Sequence, residues 1–243
     1  MSGYQVVDQS APYPWPLAQS WSASDTALIM IDMQRDFLEE DGYFGSLGEN
    51  LDHVQRTVEP CRRLLDAVRR TGMLIVHTRE SHRPDLSDLN ATKRLKGERK
   101  GAAIGSEGPM GRLLVRGEYG CDFVDALAPH AGEVVLDKPG NSAFYATDLR
   151  QILSARGITR LLLAGVTTDV CVSSTLRDAN DRGLDCLLLE DCCGAATPEL
   201  HEAVLRSMER EGGIFGAYAH SDGLLRSLAQ RSQATAASPE TAS

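Results

Sequence analysis

The feature that most constrains the fold is a regular alternation of short apolar runs with helix-like segments. Five runs have the character of buried strands: residues 26–31, 73–76, 134–136, 161–164 and 186–189. Helical spacing occurs between them, most clearly over residues 51–70, which stop before Gly72. Apolar strands that alternate with helices form a mainly parallel sheet covered on both faces. We therefore predict a three-layer α/β fold with a mainly parallel sheet.

The chain of 243 residues is long enough for one complete α/β domain. We assign this single domain to residues 1–231, with an N-terminal arm at 1–23. Residues 232–243 are of low complexity and are predicted to form a disordered tail. Residues 79–120 are polar and rich in Gly and Arg, which is typical of a functional lid or an interface segment.

Charge and composition exclude several classes of partner. The net charge of −9 argues against nucleic acid and anionic membrane surfaces. No apolar stretch reaches the roughly 18 residues of a membrane span, and residues 1–19 lack the pattern of a secretory signal. We therefore expect a cytoplasmic protein. Its six cysteines match neither a disulfide framework nor a zinc-site spacing.

Cys171 is the first candidate for chemistry. It follows an apolar run that breaks into small and polar residues, and a segment of helical spacing comes after it. At such a junction, free backbone N–H groups and the helix dipole are expected to lower the thiol pKa. A thiolate there can attack a carbonyl carbon. The alternative is a buried packing cysteine.

Asp32 and Lys138 follow or end two other predicted strands. Sites in open α/β sheets form outside the carboxyl ends of the strands, so these two residues and Cys171 are expected to meet. A carboxylate can take the thiol proton, and an ammonium group can stabilise negative charge. Taken singly, Asp32 could cap a turn and Lys138 could be a solvated charge.

Three motifs resemble the isochorismatase-like cysteine hydrolases: Asp-Met-Gln-x-Asp-Phe at 32–37, Asp-Lys-Pro-Gly at 137–140, and Gly-Val-Thr-Thr-Asp-Val-Cys at 165–171. The resemblance covers about residues 24–220. It implies a catalytic trio of Asp32, Lys138 and Cys171. It also implies a non-proline cis peptide between Val166 and Thr167, with the backbone N–H groups of Thr167 and Cys171 forming an oxyanion hole.

The resemblance also bears on metal use. Metal-dependent nicotinamidases of this superfamily carry an Asp-x-His…His site after the second strand. Here that stretch, 78–85, reads Thr-Arg-Glu-Ser-His-Arg-Pro-Asp, with one histidine and an arginine, Arg83, where ligands are needed. We therefore expect no catalytic metal and no cofactor.

Four stretches are similar to the biuret and triuret hydrolase group, which neighbours the carbamoylsarcosine and ureidoacrylate amidases: residues 12–16, 78–85, 178–183 and 190–195. The resulting expectation is an amidohydrolase that cleaves a biuret- or triuret-type ureide through a thioester and releases ammonia. Ureidoacrylate or N-carbamoylsarcosine hydrolysis is the alternative within the family. A non-catalytic binding module, and a redox sensor using Cys192 and Cys193, are alternatives from other classes.

Four residues are predicted to contact the substrate. Phe37 could supply an aromatic face and Glu211 a hydrogen-bond acceptor, while Asn141 and Arg83 would complete the pocket. Glu211 and Asn141 stand where biuret hydrolases tend to carry Gln and Lys, which makes triuret an open option. Core packing for Phe37 and a solvated helix end for Glu211 remain alternatives. We also expect a homo-oligomer, with a tetramer as the working assumption.

Overall fold

The computed structural model describes residues 3–7 and 9–236. Its strands are β1 (Tyr4–Val7), β2 (Trp15–Trp21), β3 (Thr26–Ile31), β4 (Leu74–Glu80), β5 (Glu107–Gly108), β6 (Gly111–Arg112), β7 (Val134–Lys138), β8 (Arg160–Val166), β9 (Asp185–Gly194) and β10 (Ala217–Ala219). Its helices are α1 (Arg35–Leu38), α2 (Tyr43–Ser46), α3 (Asp52–Gln55), α4 (Val58–Arg69), α5 (Ala91–Lys100), α6 (Leu149–Ala155), α7 (Ser173–Asp181), α8 (Pro198–Met208) and α9 (Ser221–Ala236). Over this part of the chain, no helix is both long and apolar enough to cross a membrane.

The central sheet has six strands in the order β10-β9-β8-β3-β4-β7, and every neighbouring pair is parallel. Side chains of β3 alternate between two cores. Leu28 and Met30 face α4 and α9, whereas Ile29 and Ile31 face α6, α7 and α8. The prediction of a three-layer α/β fold with a mainly parallel sheet is confirmed.

The N-terminal arm is integrated into the first of these cores. Strands β1 and β2 form an antiparallel pair, and both tryptophans of β2 are almost fully buried. The indole N–H of Trp15 donates to Asp185 at the start of β9, with a distance of 2.9 Å. The arm therefore contributes core surface to the domain.

Several details of the predicted secondary structure need correction. The predicted helix 51–70 is divided into α3 and α4, and the short strand β10 was not foreseen. Residues 232–236 were assigned to a disordered tail but continue helix α9, because Gln and Ala favour propagation of a helix that has already started. The rest of that predicted tail, 237–243, lies outside the described residues.

Strand order explains where a site can form. From β3 the chain first adds β4 and β7 on one side and later β8, β9 and β10 on the other, so β3 and β8 flank the point where the order reverses. Gly165 allows the close approach of these two strands at their carboxyl ends. Its φ is +122°, and a Cβ there would collide with the carbonyl oxygen of Ile31.

Candidate active site

The structure brings Asp32, Lys138 and Cys171 together in the protein interior. The ammonium nitrogen of Lys138 lies 2.7 Å from Oδ2 of Asp32 and 3.3 Å from Sγ of Cys171. All three side chains are buried, and Lys138 is wholly inaccessible to solvent. Burying the charge of a lysine costs free energy unless the ammonium group is paired with an opposite charge. The contact with Asp32 supplies this pairing.

Each member of the trio is held by its own strand. Asp32 directly follows β3 with a left-handed φ of +52°, and its carboxylate accepts a 2.7 Å hydrogen bond from the hydroxyl of Thr78 in β4. Lys138 is the last residue of β7, and its ammonium group also donates to the carbonyl of Gly140 at 2.9 Å. Both groups are therefore fixed before any substrate binds.

Cys171 lies in a π-helical turn, Thr168–Val172, that joins β8 to α7. The peptide bond between Val166 and Thr167, directly before this turn, is cis, as predicted. The turn closes through hydrogen bonds from the N–H groups of Val170 and Val172 to the carbonyl of Thr167. The assignment of the Thr167 and Cys171 N–H groups to an oxyanion hole stays a prediction.

The pKa of the Cys171 thiol is shifted in the direction opposite to the one expected at a helix N-terminus. Burial raises the pKa of the Cys171 thiol well above its usual range, and the charges of Asp32 and Glu80 add to this effect, while Lys138 opposes it. Burial likewise raises the pKa of Asp32, against the opposing influence of Lys138. The resting thiol is therefore protonated, and Asp32 is a carboxylate with increased proton affinity.

Glu80 is a fourth member of the site that sequence reasoning missed. It is the last residue of β4, and the thiol of Cys171 donates to its Oε2 at 3.4 Å. The predicted second strand ended at Val76, so the residue at its true carboxyl end was overlooked. The same rule that selected Asp32 and Lys138 would have selected Glu80 if the strand had been drawn to its full length.

The carboxylate of Glu80 is paired with Lys93 from the excursion at 79–120. The Lys93 ammonium lies 2.5 Å from Oε1 of Glu80, 3.2 Å from Nε2 of His82 and 2.9 Å from the carbonyl oxygen of Pro139. Helix α5 presents this lysine from its first turn, which is capped by the side chain of Asn90. The excursion thus supplies a cation to the site.

The motif at 32–37 anchors this arrangement. The amide group of Gln34 donates to the carbonyl of Glu80 at 3.0 Å and accepts from the Glu80 N–H at 2.7 Å. The carboxylate of Asp36 accepts from the N–H groups of Leu114 and Tyr43 at 2.9 and 3.2 Å. Gln34 therefore fixes the backbone of Glu80, and Asp36 ties the excursion to the end of β3.

Phe37, Asn141 and Arg83, three of the predicted substrate-binding residues, lie in different surroundings. Phe37 is buried in the core with its ring edge against Tyr43, 6.1 Å between ring centres. Asn141 is exposed and lines an open cleft of about 620 Å³ next to Lys93. Arg83 is exposed and approaches Asp85 at 3.9 Å. The substrate contacts assigned to these residues stay predictions.

Glu211 does not reach the trio within this chain. It is exposed in the turn after α8, and the adjoining Gly213 contacts Tyr13 and lines a cleft with Asp185 at the start of β9. In a parallel sheet each crossover helix returns the chain to the amino end of the strands. The turn after α8 therefore lies at the amino ends of the strands, whereas Cys171 lies at their carboxyl ends. The predicted contact of Glu211 with the substrate stays a prediction.

The side chains that could bind a metal ion surround the ammonium group of Lys138. Single ligand atoms of Asp32, Glu80 and Cys171 lie within 4.8 Å of one another. The Lys138 ammonium contacts two of these groups and lies 4.0 Å from Oε2 of Glu80. A divalent cation at this place would meet the positive charge of the lysine at close range. The absence of a catalytic metal stays a prediction, and the repulsion between Lys138 and a metal ion supports it.

Prolonged dialysis against a metal chelator should leave turnover within about twofold of the untreated protein. The reason is that Lys138 and Lys93 already neutralise the buried carboxylates. Turnover is measured as ammonia release, with metal content determined on the same samples. Loss of activity that zinc or manganese restores would contradict the expectation.

Comparisons with known proteins identify the family of this chain. The profile of the isochorismatase domain matches residues 26–218. The ureidoacrylate amidohydrolase RutB of Stutzerimonas stutzeri is 31% identical over 98% of this chain and 98% of its own length. The enzyme of the same name from Methylorubrum extorquens strain DM4 is 34% identical over 81% of this chain and 80% of its own length.

Solved structures show the same fold. A cysteine hydrolase from Pseudomonas syringae pv. phaseolicola superposes with a TM-score of 0.72 at 25% identity, covering 89% of this chain and 96% of its own. The N-carbamoylsarcosine amidase of Thermoplasma acidophilum superposes with a TM-score of 0.62 at 28% identity, covering 82% of this chain and 97% of its own. With its motifs on a matching fold and a domain match over most of its length, this chain belongs to the isochorismatase family.

Proposed function

We propose that this protein is a cysteine-dependent amidohydrolase of a small ureide, with ureidoacrylate as the first candidate substrate. The observation that carries the proposal is the buried contact of Lys138 with both Asp32 and Cys171. Two relatives with 31% and 34% identity are named ureidoacrylate amidohydrolases, which supports the choice of substrate. The complete trio argues against a non-catalytic binding module.

In the first half of the reaction, Asp32 takes the proton of the Cys171 thiol as Sγ attacks the carbonyl carbon. A C–S bond forms, and the carbonyl oxygen becomes an oxyanion that the N–H groups of Thr167 and Cys171 receive. The C–N bond then breaks, and the departing nitrogen takes the proton from Asp32. Lys138 stabilises the negative charge that moves between carboxylate and sulfur.

In the second half, water attacks the thioester carbon while Asp32 accepts one of its protons. The C–S bond breaks, the sulfur regains a proton from Asp32, and the acid product leaves. Burial favours this sequence, because a carboxyl group with a raised pKa returns its proton less readily to water and keeps it available for the reacting atoms.

Biuret and triuret form the second candidate class. The four stretches at 12–16, 78–85, 178–183 and 190–195 favour it. The position of Glu211 near the amino ends of the strands weakens the residue-level reason for preferring triuret. The second class therefore ranks below ureidoacrylate.

A redox role for the adjacent cysteines has little support. Cys192 belongs to the core on one face of the sheet and Cys193 to the core on the other, since neighbouring residues of a strand point in opposite directions. Both are buried. Their sulfur atoms thus point away from each other, which disfavours a disulfide between them.

The proposal is tested by ammonia release from a panel of ureidoacrylate, biuret, triuret, N-carbamoylsarcosine and nicotinamide. Ureidoacrylate should have the highest kcat/KM, at least about tenfold above nicotinamide, since one or two net hydrogen-bond mismatches have this effect. If biuret or triuret leads instead, the second candidate replaces the first. If no ureide is hydrolysed, the proposed function is wrong.

A further inference from the structure

The active site contains a second, partly buried ion pair, between Glu80 and Lys93, that the mechanism above does not use. Oε2 of Glu80 lies 3.4 Å from the sulfur of Cys171. The other oxygen, Oε1, is occupied by Lys93. One carboxylate oxygen is thus held in place by a salt bridge with Lys93, and the other accepts a hydrogen bond from the thiol of Cys171.

The two carboxylates of the site differ in their protonation behaviour. Burial raises the pKa of Asp32, which suits a group that must accept a proton. Burial would also raise the pKa of Glu80, but the charges of Lys138 and Lys93 outweigh it, and the pKa is lowered. Asp32 is therefore the base, whereas Glu80 remains an ionised acceptor of hydrogen bonds.

We propose that Glu80 is the specificity-determining residue of this site, and that its Oε2 accepts a hydrogen bond from an N–H group attached to the carbon that Cys171 attacks. This inference rests on the proposed function. Oε2 lies 3.4 Å from the sulfur, and the attacked carbon must approach the same sulfur to about 3–3.5 Å before it reacts. A substituent on that carbon can therefore lie within hydrogen-bond reach of Oε2. In a ureide both substituents are nitrogen, and at least one carries hydrogen.

The same contact would exclude oxygen substrates. An ester or an enol ether places an oxygen lone pair where the ureide has an N–H, and a carboxylate can only accept. Two acceptors facing each other in a buried site are left unpaired, which disfavours binding of that substrate. Glu80 thereby selects ureides by a favourable contact and rejects esters by an unfavourable one.

Lys93 acts as a positioning residue for Glu80. It orients Oε1, and its contacts with His82 and Pro139 fix the ammonium group itself. His82 must accept from Lys93 through Nε2, so its Nδ1–H donates to Asp88 at 3.2 Å. The groups that face Glu80 are Asp32, Tyr43, His82, Lys93, Lys138 and Cys171.

The first experiment separates substrate recognition from thiol chemistry. Glu80→Gln should lower kcat/KM for the best ureide by about 10- to 100-fold, the effect of a hydrogen bond to a charged group. Modification of Cys171 by methyl methanethiosulfonate, a neutral reagent without N–H groups, should stay equal or become faster. The reason is that the Glu80 charge contributes to the raised pKa of Cys171. Glu98→Gln, an exposed change on α5, is the matched control.

The outcomes distinguish the inference from the proposed function. If wild type hydrolyses a ureide but Glu80→Gln loses turnover and thiol modification equally, Glu80 acts on the sulfur and the inference is wrong. If the variant keeps full ureide turnover, the inference is also wrong. If wild type hydrolyses no ureide, the proposed function fails first.

The second experiment tests Lys93 by a pH profile. In Lys93→Met the pKa of Glu80 should rise, so the acid limb of kcat/KM should move to higher pH by about one unit or more, the effect of losing an opposite charge at contact distance. Lys93→Arg should restore the wild-type limb. Lys100→Met, an exposed lysine on the same helix, is the control. An unmoved acid limb in Lys93→Met would overturn the positioning role.

Discussion

Replacing Cys171 by serine should abolish turnover while the protein remains folded. The loss in kcat is expected to be at least about 10⁴-fold, the usual effect of removing a nucleophile. A serine hydroxyl fits the same space and can donate to Glu80 as the thiol does at 3.4 Å. Its pKa is far above that of a thiol, however, so Asp32 and Lys138 cannot activate it.

Two measurements check this expectation. Ammonia release gives the activity, and mass spectrometry after rapid quenching should detect a substrate adduct on Cys171 in wild type only. Cys186→Ser is the matched control, because Cys186 is equally buried but lies near the amino end of β9. Activity of Cys171→Ser within about tenfold of wild type, or loss of activity in the control, would contradict the assignment.

The trio could be predicted because strand ends are visible in the sequence. Asp32, Lys138 and Cys171 each stand where an apolar run ends, and the carboxyl ends of parallel strands meet at one edge of a sheet. Glu80 was not predicted as a site residue because β4 ends in four polar residues, His-Thr-Arg-Glu. An apolar pattern therefore does not show that the strand continues to Glu80. Hydrogen bonding to β7 and to Gln34 extends β4 through these residues, which apolar periodicity alone does not reveal.

Contacts from distant segments were less accessible to sequence reasoning. Lys93 reaches the site only because α5 is folded back over the end of β4, and no pattern in 79–120 specifies that contact. Glu211 was predicted to contact the substrate from a resemblance, whereas the direction of α8 takes the chain to the amino ends of the strands. The thiol pKa was expected to be lowered by a helix N-terminus, whereas burial raises it. Sequence indicates which residues end strands but not how deeply they are buried.

Replacing Lys138 by methionine should destabilise the protein in a manner that depends on pH. Burial alone would lower the pKa of Lys138, but Asp32, Cys171 and Glu80 raise it, which marks the ammonium as the counter-charge of the whole site. Its removal leaves the buried carboxylate of Asp32 without its nearest cation. Breaking such a pair typically costs about 3–5 kcal/mol in the free energy of unfolding. We expect a loss of this size near pH 8.

The loss in the free energy of unfolding should be smaller near pH 5 than near pH 8. The direction of this pH dependence follows from the protonation of Asp32. Without Lys138, burial and the charge of Glu80 raise the folded-state pKa of Asp32 further above its unfolded value. A group of this kind stabilises the folded protein at low pH, and this contribution is lost as the pH rises toward the folded-state pKa. Urea unfolding at both pH values measures the difference, with Lys100→Met as control. Adding Asp32→Asn should recover about half of the loss at pH 8, because a neutral amide has a much smaller desolvation cost. A loss that is equal at pH 5 and pH 8, and that Asp32→Asn does not reduce, would mean that Lys138 stabilises the fold through packing rather than through its charge.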